Sequence, residues 1–283
     1  FGYCSLTRYE DIKAVDVDYK TFSSDGSITV LDRQEDFPLD MFIAMDPPKH
    51  DEQRKVVSPA VAPSNLANLQ ETIRERVCNI LDSLPIGEEF NWVDKVSIEL
   101  TTQMLATLFD FPFEERRKLT RWSDVATSNE DNGAMISDEQ KQAELLECLQ
   151  YFTALWEERK NKPGGFDLIS MLVHGDATQD MDPMEFLGNL ILLIVGGNDT
   201  TRNSISGGVV ALNKHPDEYQ KLRDNPKLIP NMVSEIIRWQ TPLSYMRRTA
   251  TKDTEIRGKK IREGDRVLMW YASGNRDQSV FEN

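Results

Sequence analysis

The residues best suited to chemistry lie in one short stretch, where an acid and a hydroxyl follow two adjacent glycines. Asp199 and Thr200 come shortly after Gly196 and Gly197, and the six residues Leu190–Val195 before them are all apolar. An interior glycine costs a helix about 1 kcal/mol relative to alanine. Two adjacent ones therefore indicate a close backbone approach or a bulge where a ligand can sit. An acid that exchanges protons with water, beside a hydroxyl that orients a hydrogen bond, suits a proton relay into a buried pocket.

A plain structural explanation accounts for the same residues. A helix break that Asn198 or Asp199 caps again requires no ligand. A hydroxyl such as that of Thr201 also bonds back to a carbonyl one turn earlier and bends a helix. The segment alone is compatible with both a ligand site and a capped helix break.

Two cationic side chains are spaced to share one helix face. His50 and Arg54 stand four residues apart after Asp46, Pro47 and Pro48, which are typical of a capped helix start. Two such donors suit an anionic ligand that carries carboxylates. The alternative is a solvated helix face among neighbouring charged residues.

An acid and a base three residues apart form a second candidate pair. Glu235 and Arg238 have the spacing of an ordinary surface ion pair, which adds little stability. Here the pair flanks an apolar stripe and precedes Pro242 and Arg247. This context predicts a buried and networked pair.

The elements that must position these residues are mostly helical, with a small sheet near the end. The long apolar segment from Asp182 to His215 predicts a helix of about 48 Å that crosses the centre of one domain. A hairpin is predicted over 254–261 and a strand over 266–271. Further helices are predicted over 65–83, 93–109, 114–128, 138–160, 166–173 and 228–240.

Charge and composition exclude several classes of protein. The 47 acidic and 33 basic residues give a net charge of -14, which argues against nucleic acid or an anionic membrane as partner. Cys4, Cys78 and Cys148 form no pair, as in a reducing cytoplasm, and no apolar run is long enough for a transmembrane segment. No zinc spacing, hydrolase elbow, phosphate loop or dinucleotide fingerprint is present.

Taken in order, these signals resemble the cytochrome P-450 family of haem-thiolate monooxygenases. The local sequences at 41–50, 193–203 and 234–243 are similar to those of the bacterial medium-chain alkane hydroxylases of this family. The resemblance covers nearly the whole chain. Its six motifs are D-P-P-x-H-x-x-x-R at 46–54, G-G-x-D-T-T at 196–201, E-x-x-R at 235–238, R-x-A at 248–250, G-D-R-V at 264–267 and N-R-D at 275–277.

The resemblance implies a mainly α fold with small β-sheets, one domain over 1–283, and haem b as cofactor. Asp199 and Thr200 would manage oxygen protonation, and Glu235 with Arg238 would form a structural ion pair. The residues that would bind the cofactor are His50, Arg54, Gly196, Gly197 and Arg248, of which His50 and the two arginines would hold the propionates. Those that would line a narrow apolar substrate channel are Ile191, Val195, Leu243 and Met246.

One element of the family pattern is missing from the sequence. The cysteine that binds iron belongs to a glycine-rich loop downstream of N-R-D, and the chain stops at Asn283 before that loop. We therefore expect a fragment truncated at both ends, with no metal ligand of its own, that is inactive alone. None of the three cysteines is assigned to iron.

The resemblance implies a definite reaction for the full-length enzyme, which is hydroxylation of medium-chain n-alkanes or fatty acids at the terminal carbon. O2 would supply the oxygen, and a 2Fe-2S ferredoxin with its reductase would supply electrons. The alternatives are a non-redox helical module that binds haem or lipid, a cytochrome P-450 that acts on a terpenoid or steroid, and a haem-thiolate isomerase or dehydratase.

Overall fold

The computed structural model describes residues 2–32, 37–128 and 136–282. These residues form two compact units. The first takes in residues 2–32, 43–46 and 203–282, and the second takes in residues 37–42, 47–128 and 136–202. The single domain expected from the sequence stays a prediction, and each unit is described by itself.

The described residues are mainly helical, with short strands near both ends. The helices are α1 (Tyr9–Val17), α2 (Lys49–Val57), α3 (Pro63–Asn68), α4 (Gln70–Asp82), α5 (Glu99–Phe109), α6 (Arg117–Thr127), α7 (Asp138–Lys160), α8 (Leu168–His174), α9 (Pro183–Lys214), α10 (Pro216–Asp224), α11 (Ile229–Gln240) and α12 (Tyr271–Gly274). The strands are β1 (Cys4–Leu6), β2 (Phe22–Ser23), β3 (Met246–Ala250), β4 (Thr254–Ile256), β5 (Lys259–Ile261) and β6 (Arg266–Met269).

The first unit is built around a four-stranded sheet of order β1-β6-β3-β2. Strand β6 pairs parallel to β1 and antiparallel to β3, with Met246 opposite Met269. The predicted hairpin is confirmed as β4 and β5, which turn through Arg257 and Gly258, both with positive φ. The sheet core is apolar and includes Leu6, Ile12, Val15, Phe22, Val267 and Met269.

An aromatic cluster forms the centre of the second unit. Trp122 of α6 and Phe152 of α7 are fully buried, and their ring centroids lie 5.9 Å apart. Phe109, at the end of α5, meets Phe152 edge to face at 5.5 Å. Such ring pairs add to the free energy gained from burying apolar area, so they fix α5, α6 and α7 against one another.

The longest predicted helices are confirmed, because their signals are local. Helix α7 covers 138–160 as predicted and begins with a capping box in which Ser137 and Gln140 bond reciprocally. Helix α9 runs unbroken through 32 residues. The prediction over 65–83 is split into α3 and α4, and residues 93–98 of the prediction over 93–109 are π-helical.

The predicted cap of the helix that carries His50 is wrong. Helix α2 begins at Lys49 with no side-chain cap. The carboxylate of Asp46 instead accepts hydrogen bonds from the Ser23 hydroxyl and, at 2.9 Å, from the Ser24 N–H. A neighbouring loop therefore competes successfully for the oxygen atoms that the sequence assigns to the helix end.

Among the described residues, no helix combines the length and the apolar character needed to cross a membrane.

Candidate functional site

The two glycines of α9 have different surroundings. A Cβ atom on Gly196 would meet nothing within 4 Å, whereas one on Gly197 would lie 2.7 Å from a methyl group of Leu105 on α5. Gly197 therefore allows close packing between two helices of the second unit, and the open side of the helix is at Gly196. Binding of a cofactor by either glycine stays a prediction.

The helix does not break after the glycines. Helix α9 is continuous past them, and the Thr200 hydroxyl donates to the carbonyl oxygen of Gly196 at 2.9 Å. This bond places the hydroxyl beside the open position at Gly196. The capped break considered from the sequence is therefore wrong, and the role of Thr200 in proton transfer stays a prediction.

Asp199 is held by a cation that the sequence analysis missed. The guanidinium of Arg202 binds the Asp199 carboxylate and also donates to Asp124 of α6 at 2.9 Å. Although burial lowers the pKa of Arg202, its hydrogen bonds and charge interactions with the two carboxylates raise it overall. The i,i+3 spacing of Asp199 and Arg202 is a usable signal, but nothing in the sequence indicates Asp124.

Asn198 anchors the same stretch of α9 to α5. Its side chain is fully buried, and the Thr101 hydroxyl donates to its Oδ1 at 2.8 Å. The Nδ2 of Asn198 has no hydrogen-bond partner within the described part of the chain. Asn198 therefore faces the protein interior and not the open side of α9 at Gly196.

His50 and Arg54 of α2 each leave a nitrogen group without a partner among the described residues. His50 uses Nδ1 to bond the carbonyl oxygen of Phe42 at 2.8 Å, which leaves Nε2 uncommitted. Arg54 is exposed, and its guanidinium has no ion-pair or hydrogen-bond partner among the described residues. An imidazole nitrogen and an unpaired guanidinium four residues apart fit a ligand with carboxylate groups. The chemistry of this donor set suits the propionates of haem.

Arg248 already has a carboxylate partner in the first unit. Its guanidinium donates to Asp16 of α1 at 2.9 Å, and the Tyr271 hydroxyl meets the same oxygen at 3.2 Å. Burial raises the pKa of Tyr271, and the negative charge of Asp16 adds to that effect. The role of Arg248 in holding a propionate stays a prediction.

The predicted ion pair forms on α11, but it is not buried. The Nε of Arg238 donates to Glu235 at 2.7 Å, and this hydrogen bond is the main reason that the pKa of Glu235 is lowered. The Glu235 side chain is 58% exposed. The prediction of a buried pair is wrong for the described structure, because the apolar residues beside it on α11, Val233 and Ile237, are themselves about half exposed.

Arg238 and the N-R-D motif belong to one network, which the sequence did not indicate. Arg238 donates to the carbonyl oxygen of Asn275, whose side-chain amide donates to the Thr241 hydroxyl at 3.1 Å. Arg276 donates to the carbonyl oxygen of Trp239 at 2.8 Å. The motif therefore secures the C-terminal end of α11 through main-chain and side-chain oxygens.

The third residue of the motif holds α1. The Asp277 carboxylate accepts from the Ser279 hydroxyl at 2.7 Å and from the N–H of Tyr9 at 2.9 Å. Hydrogen bonds from Ser279 and Tyr9 favour the ionised form and lower the pKa of Asp277 to about 2.

A cavity of about 880 Å³ in the first unit lies beside the ion pair on α11. Its walls include Glu235, Trp239, His215 and Arg276. None of the four residues predicted to line the substrate channel contributes to it.

The four residues of the predicted substrate channel have unlike environments. Ile191 is buried and Val195 half-buried on α9, in the second unit. In the first unit, Leu243 is 41% exposed and Met246 packs against the core of the sheet. The channel itself stays a prediction.

Comparison with known proteins identifies the family model that this chain matches. Residues 77–283 match the family model described as Cytochrome P450. Among solved structures, a cytochrome P450-153 from Novosphingobium aromaticivorans is 48% identical, with a TM-score of 0.89 over 98% of this chain and 70% of that chain.

Two curated relatives are also similar in sequence to this chain, at lower identity. Linalool 8-monooxygenase of Pseudomonas putida is 38% identical over 243 residues, which are 86% of this chain and 60% of that protein. A methyl-branched lipid omega-hydroxylase of Mycobacterium tuberculosis is 32% identical over 99% of this chain and 67% of its own length. The chain thus spans 60 to 67% of the length of these two relatives.

Proposed function

The chain belongs to the cytochrome P450 family, and we propose that the full-length protein is a monooxygenase that hydroxylates medium-chain n-alkanes, or fatty acids of similar length, at the terminal carbon. The mainly helical fold with small sheets is the fold of this family. Membership of the family implies haem b as the cofactor. The observation that carries the proposal is the Thr200 hydroxyl, which is bonded to the Gly196 carbonyl beside the open face of α9.

The donors of α2 fit the acidic edge of haem. The Nε2 of His50 and the guanidinium of Arg54 would hold propionates, since both lack partners within the described residues. Arg248 would also bind a propionate, with its charge shared between that group and Asp16. A carboxylate held by two cations is fixed in position as well as in charge.

Bound haem supplies the activation of dioxygen, with one oxygen atom inserted into a C–H bond and the other released as water. The residues of this chain supply the protons for that reaction. The Thr200 hydroxyl would turn from the Gly196 carbonyl oxygen, to which it donates in this structure, and donate on the open side of α9. Asp199 would return protons to it from solvent. Asp199 reaches water because its side chain is 26% exposed, while the ion pair with Arg202 holds its carboxylate in place.

The terminal position of attack follows from shape and not from reactivity. The C–H bonds of a terminal methyl group are stronger than those of the neighbouring methylenes, so a narrow channel must present only the end of the chain. The residues that we propose to line this channel are Ile191, Val195, Leu243 and Met246. The likeness of 41–50, 193–203 and 234–243 to alkane hydroxylases supports this substrate, as does a relative named for omega-hydroxylation.

A terpenoid or steroid substrate is the second candidate, because relatives are named linalool 8-monooxygenase and steroid C26-monooxygenase. In either case we propose a 2Fe-2S ferredoxin and its reductase as electron donors.

The test is a product analysis of the full-length protein. A reduced carbon monoxide complex with the absorption of a thiolate ligand would support the monooxygenase, and a histidine-type spectrum would refute it.

Octane, linalool and a steroid would then be supplied separately with a ferredoxin system. We expect 1-octanol as the main product, and preferred turnover of linalool or the steroid would establish the second candidate instead.

A further inference from the structure

A buried asparagine connects α9 to the chain just before α2. Asn189 is fully buried, and its Oδ1 accepts from the N–H of Phe42 at 2.8 Å. Its Nδ2 donates to the Oε1 of Gln53 on α2 at 3.1 Å and lies 3.2 Å from the sulfur of Met181. The same amide therefore holds a main-chain N–H and a side chain of α2.

The orientation of the Asn189 and Gln53 side-chain amides is set by groups that can only donate or only accept. The carboxylate of Glu185 accepts from the Nε2 of Gln53 and from Lys49, which lies 2.8 Å away. Because the Nε2 of Gln53 is used there, its Oε1 faces Asn189, and the Oδ1 of Asn189 then faces the N–H of Phe42. Gln53 is only 2% exposed, so water does not compete for these bonds.

The chain before Phe42 lies directly on α9. A Cβ atom on Gly188 would be 2.0 Å from the carbonyl oxygen of Asp40, a distance that only glycine permits. Gly188 and Asn189 are adjacent, so one allows the close approach and the other bonds the approaching main chain. Phe42 is thereby fixed at a definite place beside the helix.

The carbonyl oxygen of Phe42 in turn fixes His50. It lies 2.8 Å from Nδ1, and the two rings meet edge to face with centroids 6.1 Å apart. A carbonyl oxygen cannot donate, so Nδ1 carries the proton of this bond. Nε2 can therefore donate to a carboxylate only when the ring carries both protons.

We propose that Asn189 and Gln53 are positioning residues for the haem site, acting through the Phe42 peptide to hold the His50 ring with Nε2 directed at a propionate. This inference rests on the proposed function, because it takes His50 as a propionate donor. A positioning partner of this kind sets the tautomer and the direction of the imidazole without touching the cofactor.

Nitrogen-15 spectra of the histidine rings test the first step. The full-length holoprotein would be reduced and saturated with carbon monoxide, a diamagnetic form, and the His50 signals would be assigned by substituting His50. We expect the His50 ring to show protons on both nitrogens, with Nδ1–H in a hydrogen bond. In Asn189→Leu that Nδ1–H signature should be lost.

The rate of haem loss to excess apomyoglobin tests the second step. Asn189→Leu should accelerate the loss roughly tenfold, the effect of one hydrogen bond to a charged group. Asn189→Asp keeps an acceptor for the Phe42 N–H but sets a second acceptor against the Gln53 Oε1, so it should restore the ring signature and the slow loss only in part. Thr102→Val is the matched control, since it removes a buried hydrogen bond of the second unit outside this network.

The outcomes separate the two proposals. If Asn189→Leu keeps the wild-type ring spectrum and rate of haem loss, the positioning role is wrong, whatever His50 itself does. If His50→Leu does not accelerate haem loss, the propionate role of His50 fails and the inference fails with it. A spectrum without a thiolate ligand would refute the proposed function alone. Should Asn189→Leu not fold, Gln53→Met removes the bond that orients the Asn189 amide and should give a smaller change in the same direction.

Discussion

Arg202 binds the carboxylate of Asp199, three residues earlier on α9, and reaches Asp124 on α6 at 2.9 Å. One guanidinium thus holds the acid of the predicted proton relay and ties it to a second helix. The side chain of Asp199 is 26% exposed, whereas that of Asp124 is 53% exposed. The two carboxylates therefore depend on Arg202 to different degrees.

Replacing Arg202 with methionine should lower the free energy of unfolding by about 1–3 kcal/mol, because it leaves the Asp199 carboxylate without its cation. Urea unfolding of the full-length protein would measure the loss. Asp124→Asn should cost less, since Asp124 is mostly in water. Equal costs for the two variants would show that the less exposed Asp199 carboxylate does not depend on Arg202 more than Asp124 does.

Replacing Thr200 with alanine should uncouple the enzyme. The hydroxyl bonded to Gly196 would be gone, so electrons would be consumed while peroxide replaces the alcohol product. Peroxide and product per electron are the measurements, and Thr201→Ala on the exposed neighbouring position is the control. Unchanged product yield in Thr200→Ala would remove this hydroxyl from the relay.

Arg238 should matter more than Glu235 for haem incorporation. Glu235→Gln removes one partner of a pair whose acid is 58% exposed, a loss of about 0–1 kcal/mol. Arg238→Met also removes the donor to the Asn275 carbonyl oxygen, so it should lower the haem content of purified full-length protein further. A greater loss in Glu235→Gln would show that the pair becomes buried in the complete protein.

Asp277 should stabilise the fold in a pH-dependent way. Its pKa is lowered from 3.8 to about 2 in the folded protein, so the contribution is present above pH 3.8 and is lost as the pH falls toward about 2. The difference in unfolding free energy between wild type and Asp277→Asn should therefore shrink over that window. Urea titrations at several pH values would measure it, with Asp217→Asn on α10 as control, and a constant difference would contradict the role of the Ser279 and Tyr9 bonds.

Replacing Leu243 with alanine should shift octane hydroxylation toward the 2-alcohol, because a wider channel lets the substrate slide. Leu243 is 41% exposed, so the variant should cost less than the 2–5 kcal/mol typical of a well-packed leucine. Gas chromatography of the alcohols gives the product ratio. Val233→Ala, at a similarly exposed position of α11, should leave the ratio unchanged, and an unmoved ratio in Leu243→Ala would exclude Leu243 from the channel.

Local signals in the sequence predicted the larger elements. Ser137 with Gln140 marks the start of α7, and the apolar run before Gly196 marks the middle of α9. The hairpin at Gly258 was also predictable, because a turn with positive φ needs particular residues. These features depend on neighbours within a few positions along the chain.

Competition between distant groups limited the other predictions. Asp46 has the residue type of a helix cap, but Ser23 and Ser24 take its oxygen atoms. Nothing in a local window gives the geometry of such partners.

By itself the sequence determined the family, the mainly helical class and the order of the motifs from His50 to Asp277, because residue types at fixed spacing are properties of the chain alone. Only the tertiary structure decided which side chains meet. It paired Arg202 with Asp124, brought Asn189 to the N–H of Phe42, and left Glu235 in water. Hydrogen bonds and ion pairs act over a few ångströms in space, so partners that lie dozens of residues apart leave no periodic signal in the sequence.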